Sequence, residues 1–220
     1  MKNTAKIIGV TRPTSGLSVD DFIAYVARIS NPSNQNNNET APNLLKYLIK
    51  NKHWSPFEMV HIVMEINTTR DIARQILRHR SFSFQEFSQR YADPTKDLGF
   101  TPREARFQDT KNRQNSIEMN DLELQYAWEN KQVEMIAKAT ETYIWATQNG
   151  IAKEQARAVL PEGLTVSRLY MAGSLRSWIH YCQLRMSIGT QKEHRGVATD
   201  AWYEITKVFP SLKDTLDIGQ

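Results

Sequence analysis

Arg70, Arg74 and Arg78 are spaced at i, i+4 and i+8, and Arg78-His79-Arg80 is followed by Ser81-Phe82-Ser83-Phe84-Gln85-Glu86-Phe87-Ser88-Gln89-Arg90-Tyr91. On a helix, that spacing stacks three cations on one face, where neighbours repel by a few tenths of a kcal/mol per pair. A bound anion would remove the conflict. Guanidinium groups grip phosphate through two parallel hydrogen bonds, and serine hydroxyls and backbone N–H groups complete such pockets. Glu86 is a lone acid here, suited to accept from a sugar hydroxyl or to orient an arginine. Residues 70–113 hold eight arginines and two lysines against six acids, so the chain's net charge of +4 is concentrated in this stretch. Such a cluster points to an anionic partner, a nucleic acid or a phosphorylated small molecule. The bland alternative is a solvated basic face.

The elements that must hold these residues follow from periodicity. Beyond Arg80 the pattern alternates, Phe82, Phe84 and Glu86 against Ser81, Ser83, Gln85 and Phe87. The motif therefore leaves a helix end, runs through a turn or extended loop, and returns with Ser88 and Arg90 aligned. Strands are expected at residues 4–12, 59–67 and 164–171. Helices are expected at 18–29 with Ser18 as cap, 40–51, 69–77 behind a Thr68/Asp71 capping box, 120–149 closed by Gly150, 153–160 stopped by Pro161, 174–186 and 190–209. Residues 31–40 form a polar, Asn-rich loop. The expectation is one mixed α/β (α+β-like) domain over residues 1–220, a central, mostly antiparallel sheet flanked by helices.

Composition narrows the field. With 220 residues, 40% hydrophobic and 24% charged, the chain is neither disordered nor fibrous. No apolar run is long enough for a membrane span, and Met1-Lys2-Asn3-Thr4-Ala5-Lys6 leads into no apolar signal segment. One cysteine, Cys182, excludes an internal disulfide or a cysteine-rich metal site, so a cytoplasmic setting and no metal are expected. No Gly-rich dinucleotide fingerprint or Walker motif occurs.

The motif Arg78-His79-Arg80, seven residues, Ser88, one residue, Arg90 resembles the signature of the flavin-dependent thymidylate synthases. His53-Trp54-Ser55-Pro56-Phe57-Glu58, Ala156-Arg157-Ala158-Val159-Leu160-Pro161 and residues 174–185 are similar to further segments of that family, in its order and at its typical length. The resemblance implies conversion of dUMP to dTMP, with methylenetetrahydrofolate as carbon donor, FAD as hydride donor and NADPH to re-reduce it. It implies nucleotide contacts from Gln75, Ile76, Leu77, Arg78, Glu86, Phe87, Ser88, Gln89, Arg90, Arg157 and Arg185. It places FAD against His53, Ser55, Arg78, His79, Arg80, Glu86, Ser174, Leu175, Arg176 and His180. Arg185 falls on the family's catalytic arginine. A homotetramer with shared sites is implied, in which residues 78–90 and 157–185 need not come from one chain, and with no nucleic-acid or membrane partner. Ser174 and His180 stand where asparagine is common, and residues 189–194 depart from the usual stretch. Each residue has a plainer reading: Arg157 as a surface cation pairing with Glu154, His180 as a core histidine, Cys182 as a small buried residue, Arg185 as a helix-end cation. The rival functions are a non-catalytic nucleic-acid binder using residues 70–90 and a flavoprotein reductase indifferent to dUMP.

Overall fold

Alternation of apolar and polar residues builds the sheet. The computed structural model describes residues 4–216. Met1, Lys2 and Asn3, read above as opening no signal segment, lie outside them. Strand β1 is Thr4–Val10. Helix α1, Val19–Ala27, is capped by Ser18, whose Oγ accepts from the Asp21 N–H at 3.1 Å. Helix α2, Ala41–Lys50, leads into a 3-10 turn at Ser55–Met59 that opens on the Trp54-Ser55-Pro56 break. Strand β2, His61–Thr69, buries Ile62, Met64 and Ile66 on one face, as the alternation requires.

Helix α3 covers Arg70–Ile76 and strand β3 covers Ser83–Glu86. A short helix α4, Pro94–Asp97, and two three-residue strands, β4 (Arg106–Gln108) and β5 (Ser116–Glu118), follow. Helix α5 spans Leu122–Gln148 behind an Asp121 cap. It closes at Gly150, whose φ of +79° lets the Ile151 N–H return to the Ala146 carbonyl at 3.0 Å. Helix α6 is Lys153–Ala156, extended by one 3-10 turn at Arg157–Val159. Strand β6, Val166–Ser174, runs directly into helix α7, Leu175–Arg185, and helix α8 is Lys192–Val208.

The main sheet is antiparallel in the order β1-β2-β6-β3. Its inner face, with Met64, Met171 and Phe84 in one row, packs under α1, α2, α3, α7 and α8. Its outer face, with Glu65, Tyr170 and Gln85, stays partly open, which suits an antiparallel sheet. The signature segment thus forms the edge strand β3 rather than a loop. Phe82 fixes its approach: the ring lies over Gly173, where an added Cβ would sit 2.5 Å from it, and packs against Trp178 at 4.9 Å.

Three local expectations change. The Thr68/Asp71 capping box does not form. Thr69 is the cap, its hydroxyl donates to Asp71 Oδ1 at 2.5 Å, and Thr68 Oγ1 is buried without a partner. The α-helix expected over 153–160 is α-helical only to Ala156. The β4–β5 hairpin and α4 were not anticipated, because three-residue strands separated by a polar loop carry almost no period.

Candidate active site

Glu86 gathers the helical arginines. Arg70 Nη1 lies 3.4 Å from Glu86 Oε1, and Arg74 Nη1 lies 3.7 Å from Glu86 Oε2. Ser167 donates to Glu86 Oε1 at 2.8 Å, and Arg74 Nε donates to Glu162 at 3.1 Å. Arg78 sits beyond the C-terminal end of α3. The like-charge conflict expected along the helix is therefore relieved at Arg70 and Arg74 by the chain's own carboxylates. Of the two roles open to Glu86, the geometry displays the orienting one.

Past the edge strand, Ser88, Arg90 and Tyr91 line a cavity of about 420 Å³ with Ala152, Lys153 and Glu154. Arg90 Nε stands 3.5 Å from Glu154 Oε2, and Lys153 Nζ donates to the Tyr91 carbonyl at 3.0 Å. Arg157, half-buried, donates through Nε to the Glu154 carbonyl oxygen at 3.3 Å. Its expected partner was the Glu154 carboxylate, which Arg90 holds instead. Gln89, between Ser88 and Arg90 in sequence, is buried with Nε2 unpartnered.

A second group forms where α3, α7 and α8 meet. Arg185 Nε donates to His79 Nε2 at 2.9 Å, so that nitrogen carries no proton. Burial, then the charges of Arg185 and Arg78, push the His79 pKa down to about 4. The His79 ring meets Tyr181 edge-on at 4.9 Å. His194, fully buried, reaches Gln75 Oε1 at 3.2 Å and the Tyr181 hydroxyl at 3.1 Å. Burial, then Arg185 and His79, push its pKa down to about 3.

A third group surrounds the other end of α7. Arg176 Nη1 donates to Glu58 at 2.6 Å, and Ser174 caps the helix by accepting from the Ser177 N–H at 3.3 Å. The Ser174 hydroxyl and, against burial, Arg176 hold the Glu58 carboxyl below its ordinary range. His180 is half-buried against Trp54 at 4.6 Å, and burial followed by Arg176 lowers its pKa. His53 and Ser55 are exposed nearby, His53 with its ring 6.0 Å from Tyr47.

Some expected contacts are committed to the fold. Leu175 is fully buried and its N–H donates to the Val60 carbonyl at 2.7 Å, so neither its side chain nor its N–H faces a ligand. Ile76 belongs to the core, and the Phe87 N–H donates to the Arg168 carbonyl at 2.9 Å. Cys182 is fully buried and burial raises its thiol pKa, as expected of a packing residue. Within one chain, His79 of the 78–90 segment meets Arg185 of the 157–185 segment, and Arg90 meets Glu154 just ahead of it. By contrast, α7 separates Ser174 from Arg185 by its 11-residue length, about 16 Å. Sequence reading missed Tyr181, Gln191, Glu193 and His194; their contacts join distant segments and leave no local period.

Helices on one face of a four-stranded antiparallel sheet, with the arginine motif on its edge strand, define a class. Residues 17–211 match the model of the thymidylate synthase complementing protein family, and the chain belongs to that family. It is 49% identical to the probable flavin-dependent thymidylate synthase of Paramecium bursaria Chlorella virus 1, across 97% of this chain and 99% of that one. It is 46% identical to the flavin-dependent thymidylate synthase of Synechocystis sp., across 96% and 98%. Its fold is similar to the crystal structure of the UMP/dUMP methylase PolB from Streptomyces cacaoi bound with 5-Br dUMP. That TM-score is 0.79 at 25% identity, covering 97% of this chain and 94% of that one. Among the described residues no helix is long and apolar enough to cross a membrane.

Proposed function

We propose that this chain is a flavin-dependent thymidylate synthase that methylates dUMP to dTMP. The observation that carries the reading is the complete Arg78-His79-Arg80…Ser88-x-Arg90 motif, set on an edge strand beside a cavity, in a member of this family. Ser88, Arg90 and Arg157 would bind the nucleotide phosphate, and Gln75 would add a contact from α3. The donor set fits an FAD diphosphate, because Arg78 and Arg80 are exposed and neither makes an ion pair among the described residues. These two, with His79, Ser55, His53, Arg176 and His180, would hold FAD, which supplies hydride when bound. Methylenetetrahydrofolate is the carbon donor and NADPH the reductant in this reading, and the setting is cytoplasmic.

The chain's own part in the chemistry is electrostatic. Addition at C6 of uracil drives electron density onto the O2–N3–O4 edge. A guanidinium held there stabilises charge where it develops. Arg185 has that chemistry, and its hydrogen bond to unprotonated His79 fixes its plane. His79 stays neutral at working pH, which keeps its Nε2 free to accept from Arg185. Cys182 is buried with a raised thiol pKa and so cannot serve as a nucleophile.

A homotetramer is part of the proposal. Trp128, Val133, Met135 and Trp145 on α5 are about half exposed and Tyr126 two-thirds exposed, which supports association through this helix. The separation of the His53–His180 group from the Arg90 cavity also favours sites completed between chains. The nucleic-acid reading is not favoured, because Arg70 and Arg74 are taken up by Glu86 and Glu162. The deciding experiment is dTMP formation from dUMP by the purified protein with methylenetetrahydrofolate and NADPH. Bound flavin should absorb near ~450 nm. NADPH oxidation indifferent to dUMP would instead indicate a simple reductase. A colourless protein that binds nucleic acid with a steep salt dependence would overturn the reading.

A further inference from the structure

A single hydrogen-bonded row crosses the junction of α3, α7 and α8, and its direction is set from one end. Glu193 is fixed by Arg106 Nη2 at 2.7 Å and Arg103 Nη1 at 3.2 Å. Burial alone would raise its pKa, but the arginines outweigh it and keep the carboxylate charged. A carboxylate only accepts. Gln191 must therefore present its Nε2 hydrogens to Glu193 Oε2, at 2.9 Å, which turns its oxygen the other way. That oxygen accepts from Gln75 Nε2 at 2.7 Å, so Gln75 in turn aims Oε1 at His194 Nδ1, 3.2 Å away. An oxygen without hydrogens requires Nδ1–H on His194. Nε2 of the neutral ring then accepts from the Tyr181 hydroxyl at 3.1 Å.

We infer that His194, with Gln191 and Glu193, is a positioning device that locks the amide of Gln75, leaving one Nε2 hydrogen free for a carbonyl or phosphate oxygen of the nucleotide. An amide that rotated would offer an acceptor there instead and repel such an oxygen. The assignment of the nucleotide to Gln75 rests on the function proposed above; the direction of the row does not. The groups facing His194 are Gln75 from α3, Tyr181 and Arg185 from α7, and His79 from the turn after α3. None offers a carboxylate that would reward protonating the ring.

The test uses the flavin-loaded full chain. ¹⁵N NMR of its histidines should show His194 as the Nδ1–H tautomer, and an Nε2–H signal would overturn the inference. His194→Leu should raise the dUMP KM by about tenfold with kcat at saturation little changed, about 1.4 kcal/mol of ground-state binding. His194→Asn, whose amide nitrogen stands where Nδ1 does, should recover most of that loss. Gln191→Met, at a half-buried site, gives the same reading if His194→Leu fails to fold. Gln75→Met separates the two claims. If it leaves dUMP binding intact, the nucleotide assignment of Gln75 fails. If it weakens binding while His194→Leu and Gln191→Met do not, the positioning inference fails and the function stands.

Discussion

Arg185 has two possible roles that differ in what mutation does. A cation in the last turn of α7 favours the helix dipole by about 0.3–1 kcal/mol, and Arg185→Lys would then be nearly silent. The bond from Arg185 Nε to His79 points to the other role, since a lysine cannot both hold that nitrogen and face a ring edge. Arg185→Ala should keep the fold and the flavin and lose roughly 10²–10³ in turnover, the range for removing one oxyanion donor. Single-turnover dTMP formation by the loaded variant measures this; a near-normal rate returns Arg185 to the helix surface. Cys182 makes the opposite case. Cys182→Ser alters only packing and should keep turnover within about tenfold. Loss of all chemistry in a folded Cys182→Ser protein would contradict the reading that no cysteine attacks the substrate.

Between elements, charge does the joining. Glu86 ties edge strand β3 to α3 through Arg70, with the two side chains 15% and 11% exposed. Glu86→Gln keeps the hydrogen bond from Ser167 but leaves Arg70 largely buried beside a neutral group. A loss of about 2–4 kcal/mol is expected, read as a lower denaturant midpoint at unchanged slope. The junction of α3, α7 and α8 predicts an acid limb. His79 and His194 have folded pKa values of about 4 and about 3, below the ordinary 6.5. As pH falls, the unfolded chain takes up these protons first. Their contribution is therefore complete above about pH 6.5 and is lost progressively down to about pH 3. Thermal melts between pH 7 and 4 should show this, and His194→Asn should flatten the slope relative to the parent. Parallel slopes for the two proteins would show that His194 is not the group responsible.

At the scale of the molecule, α5 lies largely outside the core. Only Gln132, Ala139, Tyr143 and Ala146 are buried along its 27 residues. A helix this long with exposed tryptophans lacks enough partners within the chain. Light scattering should report a tetramer, and Trp145→Glu should shift it towards smaller species and lower turnover together. A monomer with full turnover at low concentration would refute shared sites. Mixing Arg90→Ala with Arg157→Ala chains should restore some activity if different subunits supply the two arginines to one site, and none if one chain supplies both.

Residue types and local period were enough for much of this protein. The alternation of Ile62, Met64 and Ile66 made β2, Ser18 capped α1, and Gly150 closed α5 where its positive φ was required. The motif from Arg78 to Arg90 was legible because thirteen consecutive residues carry it. The partners of those residues were not. Glu86 meets Ser167 across 81 positions and Gln75 meets His194 across 119, and no local spacing encodes such contacts. The β4–β5 hairpin was too short and too polar to show a period, yet its Arg106 anchors Glu193. Side-chain chemistry and local period were enough to show which side chains could grip phosphate and where the longer helices and strands lie. Which arginines are already paired with carboxylates, which histidines are buried and neutral, and which way the amide of Gln75 faces emerge only on folding, because desolvation and hydrogen-bond direction depend on what the folded chain brings alongside.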